Sequence, residues 1–87
     1  MEKEKTLKEH YQDYKRKFSQ QTIDELIEAF NREVGNNGWV SIRGAYLKAL
    51  REELVVRDLD CSDFIYENSM SLRHKIYLEG NKLKIIN

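Results

Sequence analysis

The residues of this chain that could do chemistry are few and scattered. His10 and His74 lie far apart, and neither has a Cys or an acidic residue at metal-ligand spacing. The lone Cys61 has no histidine near it in sequence, so it reads as a small buried or half-buried residue rather than a nucleophile. No Gly-rich phosphate loop, HExxH, CxxC or Gly-x-Ser-x-Gly occurs. The carboxylates are spread over helix faces and alternate with bases, as solvated surfaces do. The pattern describes a non-enzyme, without metal site or cofactor, whose chemistry is that of binding. Two groups of residues suit binding. Arg73, Lys75, Tyr77, Lys82 and Lys84 make a basic surface with an aromatic ring among the cations, joined by Arg43, Lys48 and Arg51 from a helix. Leu7, Tyr11, Tyr14 and Phe18, at spacings of four, three and four, make an aromatic stripe.

The first group depends on a hairpin. Leu72, His74, Ile76 and Leu78 alternate with Arg73, Lys75, Tyr77 and Glu79, and alternation resumes after Gly80-Asn81 with Leu83 and Ile85 against Lys82 and Lys84. A two-residue loop pairs Glu79 with Lys82, Leu78 with Leu83, Tyr77 with Lys84 and Ile76 with Ile85. Gly80 at the first loop position suits a type II′ turn. The register buries Ile76, Leu78, Leu83 and Ile85 and places His74 on the apolar side as a structural histidine.

Helices position the rest. The aromatic stripe predicts a helix from Glu2 to about Phe18, ending in the basic run Lys15-Arg16-Lys17. Thr22 and Glu25 match a capping box for a second helix, whose Ile23, Leu26, Ile27, Phe30 and Val34 form an apolar face, with Gly35 as a left-handed cap. Its outer face is acidic, with Asp24, Glu25, Glu28 and Glu33. Asn36, Asn37 and Gly38 form a turn, and Trp39-Val40 an apolar pair that can make a short strand with Trp39 in the core. Ser41 is expected to cap a third helix carrying Tyr46, Leu47, Leu50 and Leu54 inward and Arg43, Lys48, Arg51 and Glu52 outward. Gly44 in its first turn either permits close approach of another backbone or is merely tolerated. Asp58 to Asp63 is a polar break, after which Ser62 or Asp60 can cap a short helix bearing Phe64 and Ile65.

Composition bounds the class. With 87 residues and no proline, the chain suits a compact helix-rich domain that buries roughly 60 to 65% of the surface of its unfolded chain. Its 15 basic and 15 acidic residues give zero formal net charge, which lowers the prior for nucleic acid without removing a local basic face. No apolar run is long enough for a signal peptide or membrane span, and the single cysteine allows no internal disulfide, so a cytoplasmic protein that does not engage membranes is expected. The expected fold class is α+β: three to four helices packed on a C-terminal β-hairpin, with residues 1–20 as an N-terminal amphipathic helix and 21–87 as one compact domain.

This order of elements resembles the winged-helix branch of the helix-turn-helix domains. The resemblance is one of pattern over residues 21–87. It implies Ile23 to Val34 as first helix, Trp39-Val40 as small strand, Ser41 to Arg57 as second helix, Ser62 to about Ser71 as recognition helix and Lys75 to Ile86 as wing. In that arrangement Asn68 would reach base edges. However, the recognition segment carries Asp63 and Glu67 and no Lys or Arg before Arg73, unlike helices that read the major groove.

Two functions follow as expectations. One is nucleic-acid binding through Arg43, Lys48, Arg51, Asn68, Arg73, Lys75, Tyr77, Lys82 and Lys84, with the hairpin lysines otherwise serving as guards of an exposed strand edge. The other is protein interaction or self-association, with Leu7, Tyr11, Tyr14 and Phe18 as a partner surface unless that stripe packs on its own domain.

Overall fold

The structure, a computed structural model, describes residues 5–36, 41–67 and 69–87. The expected Trp39-Val40 strand, the core placement of Trp39 and the base-reading role of Asn68 lie outside the described residues. The fold is α+β, with three helices followed by two small antiparallel hairpins among the described residues.

Helix α1 spans Leu7–Ser19, and it starts where Thr6 and Glu9 close a capping box by reciprocal side-chain and backbone hydrogen bonds. The helix expected from Glu2 therefore begins later, because Thr6 takes an extended conformation and satisfies the first free N–H groups. Helix α2 spans Ile23–Arg32 behind the expected Thr22–Glu25 capping box. It stops two residues short of Val34, and the chain turns through Gly35, whose φ is +87° and whose N–H donates to the Leu72 carbonyl at 3.0 Å. Helix α3 spans Ser41–Val56. Asp58, with φ at +60°, reverses the chain after it.

The segment from Ser62 to Ser71 departs from expectation. Instead of a short helix it forms a turn and a hairpin, β1 (Ile65–Tyr66) paired with β2 (Ser69–Met70). The Ser62 N–H and hydroxyl both donate to Asp60 Oδ1, at 2.9 and 2.6 Å, while the Asp60 backbone is held by Asn81 and Leu83. Asp60 thus makes a turn around Ser62 rather than capping a helix. Phe64 is thereby inserted into the core, edge-on to Phe30 with centroids 4.9 Å apart.

The C-terminal hairpin, β3 (Ile76–Glu79) with β4 (Lys82–Ile85), has the anticipated register at all four pairs. Gly80 has φ +63° and no residue of the loop but glycine is left-handed, which fits the type II′ turn. Ile76 and Leu83 are buried and Ile85 is half-buried, but Leu78 is 37% exposed. The reason is which strand lies inside. The Asp60 backbone bridges β4 through Asn81 and Leu83, whereas β3 is held from outside at Ile76 by the Asn31 carboxamide, which accepts from its N–H (2.8 Å) and donates to its carbonyl (3.1 Å). Leu78 lies beyond that contact. His74 likewise falls outside the strand, in an exposed bend, rather than on its apolar face.

One core joins these elements. Phe18, Leu26, Phe30, Leu47, Leu50 and Leu54 from the helices meet Phe64, Ile76 and Leu83 from the hairpin region. At the end of α3, Arg57 donates to the Glu53 carboxylate (2.6 Å), the Phe18 carbonyl (2.9 Å) and the Gln21 carbonyl (2.6 Å). Glu53 is buried at 7% exposure. No helix among the described residues is long and apolar enough to cross a membrane.

The two polar anchors should differ in weight. Arg57→Ala is expected to cost about 3 kcal/mol, because it leaves a buried carboxylate without its partner. Asn31→Ala is expected to cost roughly 1 to 3 kcal/mol, the range for stranding a half-buried backbone pair. Urea unfolding of the two variants checks both figures, and equal stability of either variant with the wild type contradicts its assignment.

Candidate functional site

The aromatic stripe of α1 packs inside the chain. Phe18 is 1% exposed, Tyr14 and Phe18 both meet Tyr46 of α3 edge-on at 5.1 Å, and the Tyr11 hydroxyl donates to Glu52 Oε1. As a partner surface only the start of the stripe is open, with Leu7 53% exposed.

The basic residues divide into two places. On α3, Arg43 Nε pairs with Glu33 Oε1 at 3.1 Å, Lys48 Nζ lies 5.0 Å from the centre of the Tyr11 ring, and Arg51 donates to the carbonyls of Tyr66 and Glu67. On the hairpin, Lys82 pairs with Asp63 (3.3 Å) and Lys84 with Glu79 (3.6 Å), while Tyr77, 40% exposed, donates to the same Glu79. Arg73 and Lys75 flank His74 in the bend and are exposed. The expected nucleic-acid set is therefore part structural: Arg43, Arg51 and Lys82 hold elements of this chain together.

Between α1 and α3 lies an open groove of about 790 Å³. Leu7, Lys8 and Tyr11 form one wall and Ser41, Gly44, Ala45, Lys48, Arg51 and Glu52 the other. The second set recurs at spacings of three and four, so it is one continuous face of α3. Gly44 and Ala45 leave room at the centre because they carry almost no side chain. A smaller hollow of about 430 Å³ adjoins at Leu7, lined also by Lys5, His10 and Ile42, and Ile42 is 45% exposed. Sequence reading picked out Gly44, Lys48 and Arg51 but not that Lys8 and Ala45 join them. The available signal was the small pair Gly44-Ala45 in register with Ser41 and Lys48 on the polar side of the helix.

Polar bonding stiffens this wall. Burial would raise the Glu52 pKa, but the Tyr11 hydroxyl and the Lys15 ammonium (3.4 Å) outweigh it and hold the carboxyl below its ordinary value. The same hydrogen bond, aided by burial, pushes the Tyr11 phenol up to about 12. Cys61 is buried, and its thiol is pushed up by desolvation, which removes thiolate chemistry at neutral pH. Among the described residues no His, Cys, Asp or Glu side chains gather as a metal-binding group. No family model, curated protein or solved structure matches the chain.

The Tyr11–Glu52 bond has a pH signature. A raised phenol pKa contributes stability that is complete below about pH 10 and is lost as pH climbs toward about 12. Glu52, with its pKa depressed, contributes stability present above its ordinary value and lost in acid. Glu52→Gln should return the Tyr11 titration toward pH 10, read from the ring-carbon NMR shift of labelled tyrosine, and an unmoved titration would contradict the assignment.

Proposed function

We propose that the protein is a non-enzymatic protein-binding module and that its ligand surface is the groove between α1 and α3. The observation that carries this reading is the concavity itself, with half-exposed Leu7 at one end, where the smaller hollow bearing Ile42 adjoins, and a glycine-alanine floor at its centre. Its volume lies in the range of built ligand sites, and an apolar patch rimmed by charge on a small soluble domain marks an interaction surface. Binding rather than catalysis fits the lining, because the carboxylate there is already bonded to a phenol and an ammonium and no nucleophile stands beside a base. The test is peptide-display panning against the folded protein, followed by NMR mapping of the enriched peptides. Peptides that shift Leu7, Ala45 and Lys48, and that bind Ala45→Trp at least about tenfold more weakly, support the groove; enriched peptides mapping elsewhere exclude it.

A second reading, nucleic-acid binding, draws on the exposed run Arg73-His74-Lys75 beside the half-exposed Tyr77. In the winged-helix resemblance base readout would come from residues 62–71; with that stretch a turn and a hairpin, the bend and wing would supply phosphate contacts and one stacking ring. Two or three such contacts give a slope of roughly −2 to −3 for log affinity against log salt. Titration with a mixed-sequence DNA duplex at low and moderate salt checks it: shifts confined to residues 73–77 and 82–84 and lost in Arg73→Ala/Lys75→Ala favour this reading, and no shifts at low salt remove it.

A further inference from the structure

We infer that the occupant of the groove is an acidic amphipathic helix of about four turns, lying along α3 against α1. This rests on the groove being the binding surface, and adds what fills it.

The shape argues for a helix. Ser41, Gly44, Lys48 and Arg51 form a single row on α3, and Val55, 51% exposed, continues it by one more turn. From Ser41 to Val55 is about 21 Å at 1.5 Å per residue, the length of a four-turn helix. Leu7 offers apolar contact at one end, Val55 at the other, and the Gly44-Ala45 floor lets a second backbone come near between them. An extended peptide has no comparable support here, since both walls are helices whose backbone groups are already bonded and which present no strand edge.

The charge argues for acid. Lys8, Lys48 and Arg51 stand on the groove against one carboxylate, Glu52. That carboxylate is occupied by the Tyr11 hydroxyl and Lys15. Lys48 rests on the face of an aromatic ring, and Arg51 is oriented by carbonyls. Glu52 also attracts Lys48, but one carboxylate against three cations leaves the lining with an excess of positive charge. A partner with leucines at helical spacing and glutamates flanking them would complement both features. The acidic face of this chain's own α2 offers the charge, but its apolar side is spent on the core, with Leu26 and Phe30 fully buried, so the occupant is a different protein rather than a second copy.

The experiment uses three synthetic peptides of about 16 residues, each titrated into the full chain and followed by NMR and calorimetry. The first has a leucine stripe flanked by glutamates, the second replaces the glutamates with lysines, and the third keeps the acids but carries a central proline. The expected result is binding of the first with shifts along Leu7, Ala45, Lys48 and Val55, at least about tenfold tighter than the second or third. Lys8→Glu/Lys48→Glu, two exposed changes whose folding is verified by an unchanged thermal midpoint, should reverse the preference between the first two. Equal binding of the lysine peptide overturns the acidic partner, and equal binding of the proline peptide overturns the helix. If panned peptides occupy the groove while the acidic helix does not, this inference fails and the binding function stands; if neither reaches the groove, both fail. Concentration-dependent dimerisation with Lys48 and Val55 protected in the dimer would show a second copy as the occupant and overturn the inference.

Discussion

The bond between Arg57 and Glu53 is the constraint from which the helical arrangement follows. A carboxylate at 7% exposure is costly unless its charge and lone pairs are met, and the guanidinium four residues on meets them at 2.6 Å. A planar fork has donors to spare, and here they reach the Phe18 and Gln21 carbonyls. Those carbonyls belong to the end of α1 and the turn into α2, where a helix leaves acceptors unpaired. One side chain therefore satisfies a buried acid and caps a helix end, and in doing so fastens all three helices at one place. With the chain held there, Phe18 enters the core and Tyr46 can meet both Phe18 and Tyr14.

The hairpin needs a different device. Two strands alone are marginal in water, because each has an open edge and only one face to bury. Here one edge is met by the backbone of Asp60 and the other by the Asn31 carboxamide, which presents a donor and an acceptor as a strand residue would. The sheet is thus extended by one residue on one side and by a side chain on the other. Burial follows the same division, complete at Ile76 and Leu83 and incomplete at Leu78, one step past the reach of Asn31.

The legible parts were those set by neighbours in sequence. The Thr22–Glu25 capping box, the apolar face of α2 and the register of the C-terminal hairpin each depend on residues within a few positions, and periodicity exposes them. The turn at Ser62 was misread because Asp60 and Ser62 suit a cap and a turn equally, and the choice came from the Asp60 backbone pairing with Asn81 and Leu83, some 20 residues away. Glu53 escaped notice although it stands in the core stripe of α3 between Leu50 and Leu54. A charge on an apolar face with an opposite charge four residues on was the available sign. For the site, Lys48 and Arg51 were found as cations, but that Lys48 meets Tyr11 of α1 while Arg51 reaches the Tyr66 and Glu67 carbonyls depends on how the elements pack, which local patterning does not encode.

The same fastening explains why a concave surface survives in so small a domain. The large side chains that join α1 to α3, Phe18, Tyr14 and Tyr46, are drawn to the core side of the pair. On the opposite side α3 presents Gly44 and Ala45, too small to fill the space, and Lys48 and Arg51, whose charge resists burial without a partner. Closing that space in the free protein would desolvate two cations for little apolar gain, so the open groove is the lower-energy arrangement. The bulky rings nearest to it are spent on the other side, Tyr14, Phe18 and Tyr46 on the join between the helices and Phe30 and Phe64 on the core, so none of them covers the groove.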